Sequence, residues 1–167
     1  MLVISNNSAS GAIQRAARHG IATCHLSGVT HGDDDALDRA IAAALAEHMP
    51  DVVLLAGYMK KLGRHTLAAY RGRVINTHPS LLPRHGGKGM YGSRVHAAVV
   101  AAREKVTGVS VHLVDGDYDT GAVLARREVA VEPGDDAATL ATRVQAVERP
   151  FLVEVLAAIA RGEIELA

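Results

Sequence analysis

Val52-Val53-Leu54-Leu55-Ala56 is the stretch that decides the fold: an unbroken apolar run of β-branched and leucine residues between Asp51 and Gly57. A strand with one wet face alternates apolar and polar residues, whereas a run without alternation suits a parallel strand covered on both faces. Val74-Ile75-Asn76 is a second, shorter run of the same kind. Working outward, Leu2 to Ser5 is an apolar run ending in the turn-prone Asn6-Asn7-Ser8. An Ala-rich helical stretch follows to His19, with Gly20 as its C-terminal cap. Ile21 to Leu26 reads as a further strand, Thr30 to Asp34 as a polar loop, and Asp35 to His48 as a helix closed by Pro50. Beyond the second run, Pro79 to Gly92 is dense in Pro and Gly and reads as a loop, long enough to suggest function. Arg94 to Arg103 reads as a helix. Thr107 to Val114 and Val123 to Val131 are β-rich and flank the polar Asp115 to Gly121, and Asp135 to Ala160 carries a long helical pattern with a bend expected at Pro150. Strands alternating with helices predict an α/β fold with an open, mostly parallel, Rossmann-like sheet and helices on both faces. Ligand crevices are then expected at the carboxyl ends of the strands.

Composition narrows the function. The 167 residues are 49% hydrophobic, enough for one well-buried domain over 1–167, and the formal net charge is zero with both signs interspersed. Bulk electrostatics therefore favour neither nucleic acid nor an anionic membrane as a partner. No apolar run reaches the ~20 residues of a membrane span, and no signal peptide opens the chain, so the expected location is the cytoplasm. Cys24 is the single cysteine, without Cys or His neighbours at zinc spacing, and reads as a small apolar residue; no metal is expected. With no Trp and one Phe, the core is built from Ala, Val, Leu and Ile. An Ala-rich helix face suits core or partner packing equally, so monomer and homodimer both stay open.

The residues that carry chemistry sit just past the second run. Pro79 biases His78 to extended backbone, and Asn76 lies two residues earlier, so the two side chains project to the same side. An amide and an imidazole can both donate to a carbonyl oxygen that becomes an oxyanion. A His-Pro pair in a loop also serves simply as a turn. Asp119, in Asp115-Gly116-Asp117-Tyr118-Asp119, is placed to raise the pKa of a nearby histidine, although acidic glycine loops are commonly solvated turns. A calcium loop is excluded by the missing twelve-residue pattern with its final Glu.

The segment Val74-Ile75-Asn76-Thr77-His78-Pro79-Ser80-Leu81-Leu82-Pro83 resembles the signature of the folate-dependent formyltransferases. Thr107-Gly108-Val109-Ser110-Val111-His112, followed by Asp119-Thr120-Gly121, resembles their second signature. The likeness spans nearly the whole chain and is greatest to the branch acting on phosphoribosylglycinamide in de novo purine biosynthesis, of which Gly86-Gly87-Lys88-Gly89-Met90-Tyr91-Gly92 resembles a loop variant. The resemblance implies the formyltransferase fold and 10-formyltetrahydrofolate as co-substrate, with direct attack by the acceptor amine. It also implies roles for residues. Asn76 and His78 would hold the formyl oxygen, with Asp119 keeping His78 charged and ordering a proton-carrying water. Leu55, Met59, Lys60, Lys61, Leu62, Asn76 and the loop Asp115, Gly116, Asp117, Tyr118, Asp119 would line the folate pocket. Gln145, Ala146, Val147 and Glu148 would contact the ribotide, with Glu148 accepting from ribose hydroxyls.

Two departures from the family pattern stand out. A first strand with a Gly-x-Gly-Ser-Asn phosphate loop precedes, in the family, the region that Leu2 to Leu26 resembles, so the chain is expected to be short at its amino terminus. Asp34 stands where some members carry an Arg near the folate. Alternatives with the same signatures are a formyltransferase acting on another amine and a formyltetrahydrofolate deformylase. A different class of reading is a catalytically silent folate or nucleotide binder.

Overall fold

In the computed structural model, which describes residues 1–166, β1 (Leu2–Ser5) and β2 (Ala22–His25) pair in parallel, Leu2 opposite Ala22 and Ser5 opposite His25. A parallel pair needs a crossover, and α1 (Gly11–Arg18) supplies it. Ser10 caps α1 by accepting from the Ile13 N–H at 3.3 Å. Its other end is a Schellman motif: Gly20 takes a φ of 65°, its N–H reaches the Ala17 carbonyl, and the Ile21 N–H reaches that of Ala16. Gly20 is thus the helix stop that the sequence indicates.

The chain divides into two units, Met1–Val53 with Leu62–Arg71, and Leu54–Lys61 with Gly72 onward. In the first, the stretch around Thr30 is not wholly loop: α2 (Gly28–His31) is one turn, made by a capping box between Ser27 and Thr30 and ended by Gly32 at a φ of 75°. Asp33 then caps α3 (Asp34–His48), whose Leu37, Ile41 and Leu45 are buried at a spacing of four. Asp38 is buried on the same helix. The short α4 (Arg64–Ala69) begins at Gly63, which has no side chain to cap it, and the Asp38 carboxylate does so from α3. It accepts from the N–H groups of Gly63, His65 and Thr66 at 3.1, 2.7 and 3.3 Å, and from the Thr66 hydroxyl at 2.6 Å. A Cβ at position 63 would collide with the Asp38 side chain, so the glycine is what lets the carboxylate close on the helix end.

A sheet runs in the order β3-β4-β5-β6, with β3 (Val53–Leu55), β4 (Val74–His78), β5 (Val106–Leu113) and β6 (Val123–Ala130), all but Val53 belonging to the second unit. The expected α/β class holds, and β4-β5-β6 add an antiparallel part to it. No helix separates β5 from β6, so a simple loop returns the chain beside itself. Helices α5 (Ser93–Ala101) and α6 (Ala137–Ala160) complete the unit. Val95 and Val99 of α5, Val109 and Val111 of β5, and Leu140, Val144, Phe151 and Val155 of α6 are all buried. Asp136 and Thr139 form a capping box at the start of α6, which runs through Pro150, where the missing N–H leaves the Ala146 carbonyl without its usual partner. Among the described residues no helix is long and apolar enough to cross a membrane.

Candidate active site

The antiparallel register of β4 and β5 sets Asn76 opposite His112 and His78 opposite Ser110. Directly opposed residues share a face, and a strand alternates faces, so Asn76, His78, Ser110 and His112 lie on one side while Ile75, Thr77, Val109 and Val111 lie on the other. Asn76 and His78 therefore do share a side. They are residues of the strand itself, His78 being the last of β4, rather than lying just beyond its end.

His78 is 4% exposed. Its Nε2 lies 2.8 Å from the His85 carbonyl, which only accepts, so Nε2 carries a hydrogen. Its Nδ1 lies 3.4 Å from Asp119 Oδ2. Both ring nitrogens thus face acceptors, an arrangement fully satisfied only by the imidazolium. Burial opposes that charge and prevails, holding the pKa below the ordinary 6.5, while Asp119 and the His85 carbonyl pull it up, His112 pushes it down and Glu148 pulls it up. The expected upward pull of Asp119 is present; the expected net rise is not, because a deeply buried ring loses more hydration than one carboxylate returns.

Asp119 sits at a φ of 56°, a left-handed conformation that Asp tolerates better than most residues. Its Oδ2 also accepts from the Gly87 N–H at 2.9 Å, and its Oδ1 lies 3.4 Å from His112 Nε2. Burial pushes the carboxyl up, but hydrogen bonds from His112 and Gly87 and the charge of His78 outweigh it and hold the pKa below the usual value. His112, 2% exposed, was not among the residues that the sequence singles out for a role, although it closes the second signature. Its Nδ1 donates to the Leu113 carbonyl at 2.8 Å, and its Nε2 lies 3.2 Å from the Asn76 amide nitrogen. Gly121 makes this possible, since a Cβ there would collide with the same Leu113 carbonyl. A β-bulge falls between Val111 and His112, where strand irregularities commonly re-aim a side chain.

The Pro79 to Gly92 loop is held down from beneath. Ser110 Oγ donates to the Ser80 carbonyl at 2.7 Å and accepts from the Leu82 N–H at 3.0 Å, and Arg126 reaches the Leu82 carbonyl at 2.8 Å. This tethering places the His85 carbonyl and the Gly87 N–H against His78 and Asp119. His96 of α5 is 2% exposed with no partner at Nδ1 among the described residues, and burial, then the charge of His78, lowers its pKa.

The other expected contacts are less concentrated. Leu55 ends β3, Met59 and Lys60 are exposed, and Lys61 pairs with Asp117 at 3.2 Å while lying 5.4 Å from the Tyr118 ring centre. Asp115 accepts from Thr120 at 2.8 Å, and Gly116 takes a φ of 108° in the same loop. Leu62 is buried and belongs to the first unit. On α6, Gln145 and Ala146 are exposed, Val147 is half-buried, and Glu148 accepts from the Thr77 hydroxyl at 2.9 Å. Among the described residues no three His, Cys, Asp or Glu side chains are placed to hold a metal ion.

An amide and an imidazole on one strand face, with a carboxylate against the imidazole, make a centre suited to acyl transfer without a covalent nucleophile. The chain belongs to the formyl transferase family, whose model matches residues 1–156. It is 46% identical over 130 residues to the phosphoribosylglycinamide formyltransferase of Mycobacterium tuberculosis, covering 78% of this chain and 58% of that protein. To the chloroplastic phosphoribosylglycinamide formyltransferase of Vigna unguiculata it is 37% identical, covering 98% and 52%. The crystal structure of glycinamide ribonucleotide transformylase 1 from Symbiobacterium toebii superposes with a TM-score of 0.90 at 30% identity, over 99% of this chain and 76% of that one. The chain spans somewhat over half the length of these curated relatives.

Proposed function

We propose that the chain transfers the formyl group of 10-formyltetrahydrofolate to the amine of phosphoribosylglycinamide, a step of purine biosynthesis. The observation that carries this reading is the approach of the Asp119 carboxylate to His78 Nδ1 at 3.4 Å, on the face shared with Asn76. In the proposed reaction the amine nitrogen attacks the formyl carbon and the carbonyl electrons move to oxygen. The Asn76 amide, on the same strand face as His78, is the donor proposed for that oxygen. Collapse of the tetrahedral species breaks the bond from carbon to folate N10, which takes up a proton as the amine gives one up. His78 is the local proton carrier. Its neutral form is favoured by burial, and developing negative charge beside it adds to the pull of Asp119, so the ring is best protonated when the oxyanion forms. Leu55, Met59, Lys60, Lys61 and the Asp115 to Asp119 loop are the proposed folate-side residues, and Gln145 to Glu148 those for the ribotide.

The test is the absorbance change on loss of the formyl group from the folate, followed with and without phosphoribosylglycinamide. Transfer that depends on the ribotide supports the proposal. Deformylation at the same rate without it would instead indicate hydrolysis.

A further inference from the structure

Thr77 lies between Asn76 and His78 but points to the opposite face of β4, and it has no part in the centre described above. Its hydroxyl donates to Glu148 Oε1 at 2.9 Å, joining residues 71 positions apart. Glu148 is half-buried on α6 and adds to the upward pull on His78, so its carboxylate lies within electrostatic reach of the centre. A glutamate on a helix has three side-chain torsions to fix before it can serve a ligand, and a hydrogen bond to one oxygen removes much of that freedom. From this geometry we propose that Thr77 is a positioning residue: it holds Glu148 Oε1 so that Oε2 stands ready to accept from paired hydroxyls of the acceptor's sugar. The inference rests on the ribotide reading given above and adds a specificity role to the residue between the two central ones.

Thr also suits the position. A β-branched side chain packs well in a strand, while its hydroxyl supplies the one donor that the opposite carboxylate needs. Valine has almost the same shape and no donor.

The experiment is the steady-state kinetics of Thr77→Val, Thr77→Ser and Glu148→Gln, and of Thr77→Val combined with Glu148→Gln, with phosphoribosylglycinamide varied. Loss of a hydrogen bond to a charged acceptor is expected to raise KM for the ribotide about tenfold while kcat stays within about twofold. Thr77→Ser keeps the donor and is expected to stay near wild type. In the Glu148→Gln background, Thr77→Val should add less than about twofold, since the residue then has no carboxylate to hold. Should the valine variant fail to fold, Thr77→Ala carries the same expectation. An unchanged ribotide KM in Thr77→Val, with the wild type active, overturns this inference alone, as does the full tenfold effect persisting in the Glu148→Gln background. A wild-type chain that transfers no formyl group to the ribotide overturns the proposed function, and this inference with it.

Discussion

Two carboxylates, the buried Asp38 in one unit and the half-buried Asp119 in the other, show how differently the same group can be used. Asp38 accepts from three backbone N–H groups and one hydroxyl, none of which titrates near neutral pH, and every one belongs to Gly63, His65 or Thr66 at the start of α4. Asp119 accepts one backbone N–H and otherwise faces two imidazoles at 3.4 Å, on a backbone held at a positive φ. A carboxylate saturated by fixed donors can only stabilise structure. One that faces titratable rings leaves its partners' charge free to change, and that freedom is what proton transfer needs. The difference that matters for chemistry lies in the partners.

The largest expected effect tests the second carboxylate. Asp119→Asn keeps the shape and removes the charge, and we expect formyl transfer to fall by about a hundredfold or more, on the scale of general acid–base catalysis. Folate affinity and melting temperature should move little. The counterpart is Asp38→Ala, which strips α4 of its cap and leaves three N–H groups without their acceptor. A loss of about 2–3 kcal/mol in urea unfolding is expected, on the scale of a lost cap plus unsatisfied donors. If Asp38→Ala leaves stability unchanged, or if Asp119→Asn chiefly unfolds the chain, the contrast between the two carboxylates breaks down.

The difference extends to pH. His78 has a folded pKa below 6.5, so above that value the ring is neutral in both states and adds no pH dependence. As pH falls through 6.5 the unfolded chain takes up the proton first, and stability declines until the lowered folded pKa is reached. Asp119 is shifted down from 3.8, so its contribution is present above that value and is lost at more acid pH. Replacing His78 with Gln should make the stability profile shallower just below 6.5, where His96 still contributes, while leaving the carboxylate-driven loss below 3.8, a difference visible in melts taken from pH 2 to pH 7. The smallest effect is expected at Lys61, whose pairing with Asp117 and Tyr118 is exposed. Lys61→Ala should leave the melting temperature unchanged and raise the folate KM at most about fivefold.

Much of this was legible in the chain, and what was not has identifiable causes. Strands β1 to β6 and the longer helices announce themselves through apolar runs and periodicity, and Gly20 through its place after an Ala-rich stretch. The single-turn α2 does not, because four residues with no buried side chain leave no periodic trace; only the Ser27 and Thr30 pair hints at it. The antiparallel pairing of β4 with β5 is likewise hidden, since a run without alternation looks alike whichever way it is paired, whereas that of β5 with β6 follows from the short polar link between them. At the site, the shared side of Asn76 and His78 follows from their spacing in extended backbone, while the roles expected of them and of Asp119 come from the resemblance of their motifs to a family. His112 does not stand out, because a histidine in a Val-rich strand is indistinct until its register partner is known, and that partner is Asn76. The downward direction of the His78 pKa is not legible for a related reason. Its partner Asp119 can be named from the sequence, but the depth at which the ring is buried cannot.

The account turns on a buried His78 whose pKa is set by burial against the pull of Asp119, and an NMR titration of the His78 ring in the wild type and in Asp119→Asn measures that balance directly. The account predicts a wild-type value below 6.5 and a lower one still in the Asn variant, because removing the carboxylate leaves burial with less opposition. A wild-type value above 6.5, or an Asn variant that titrates at or above the wild-type value, would contradict it.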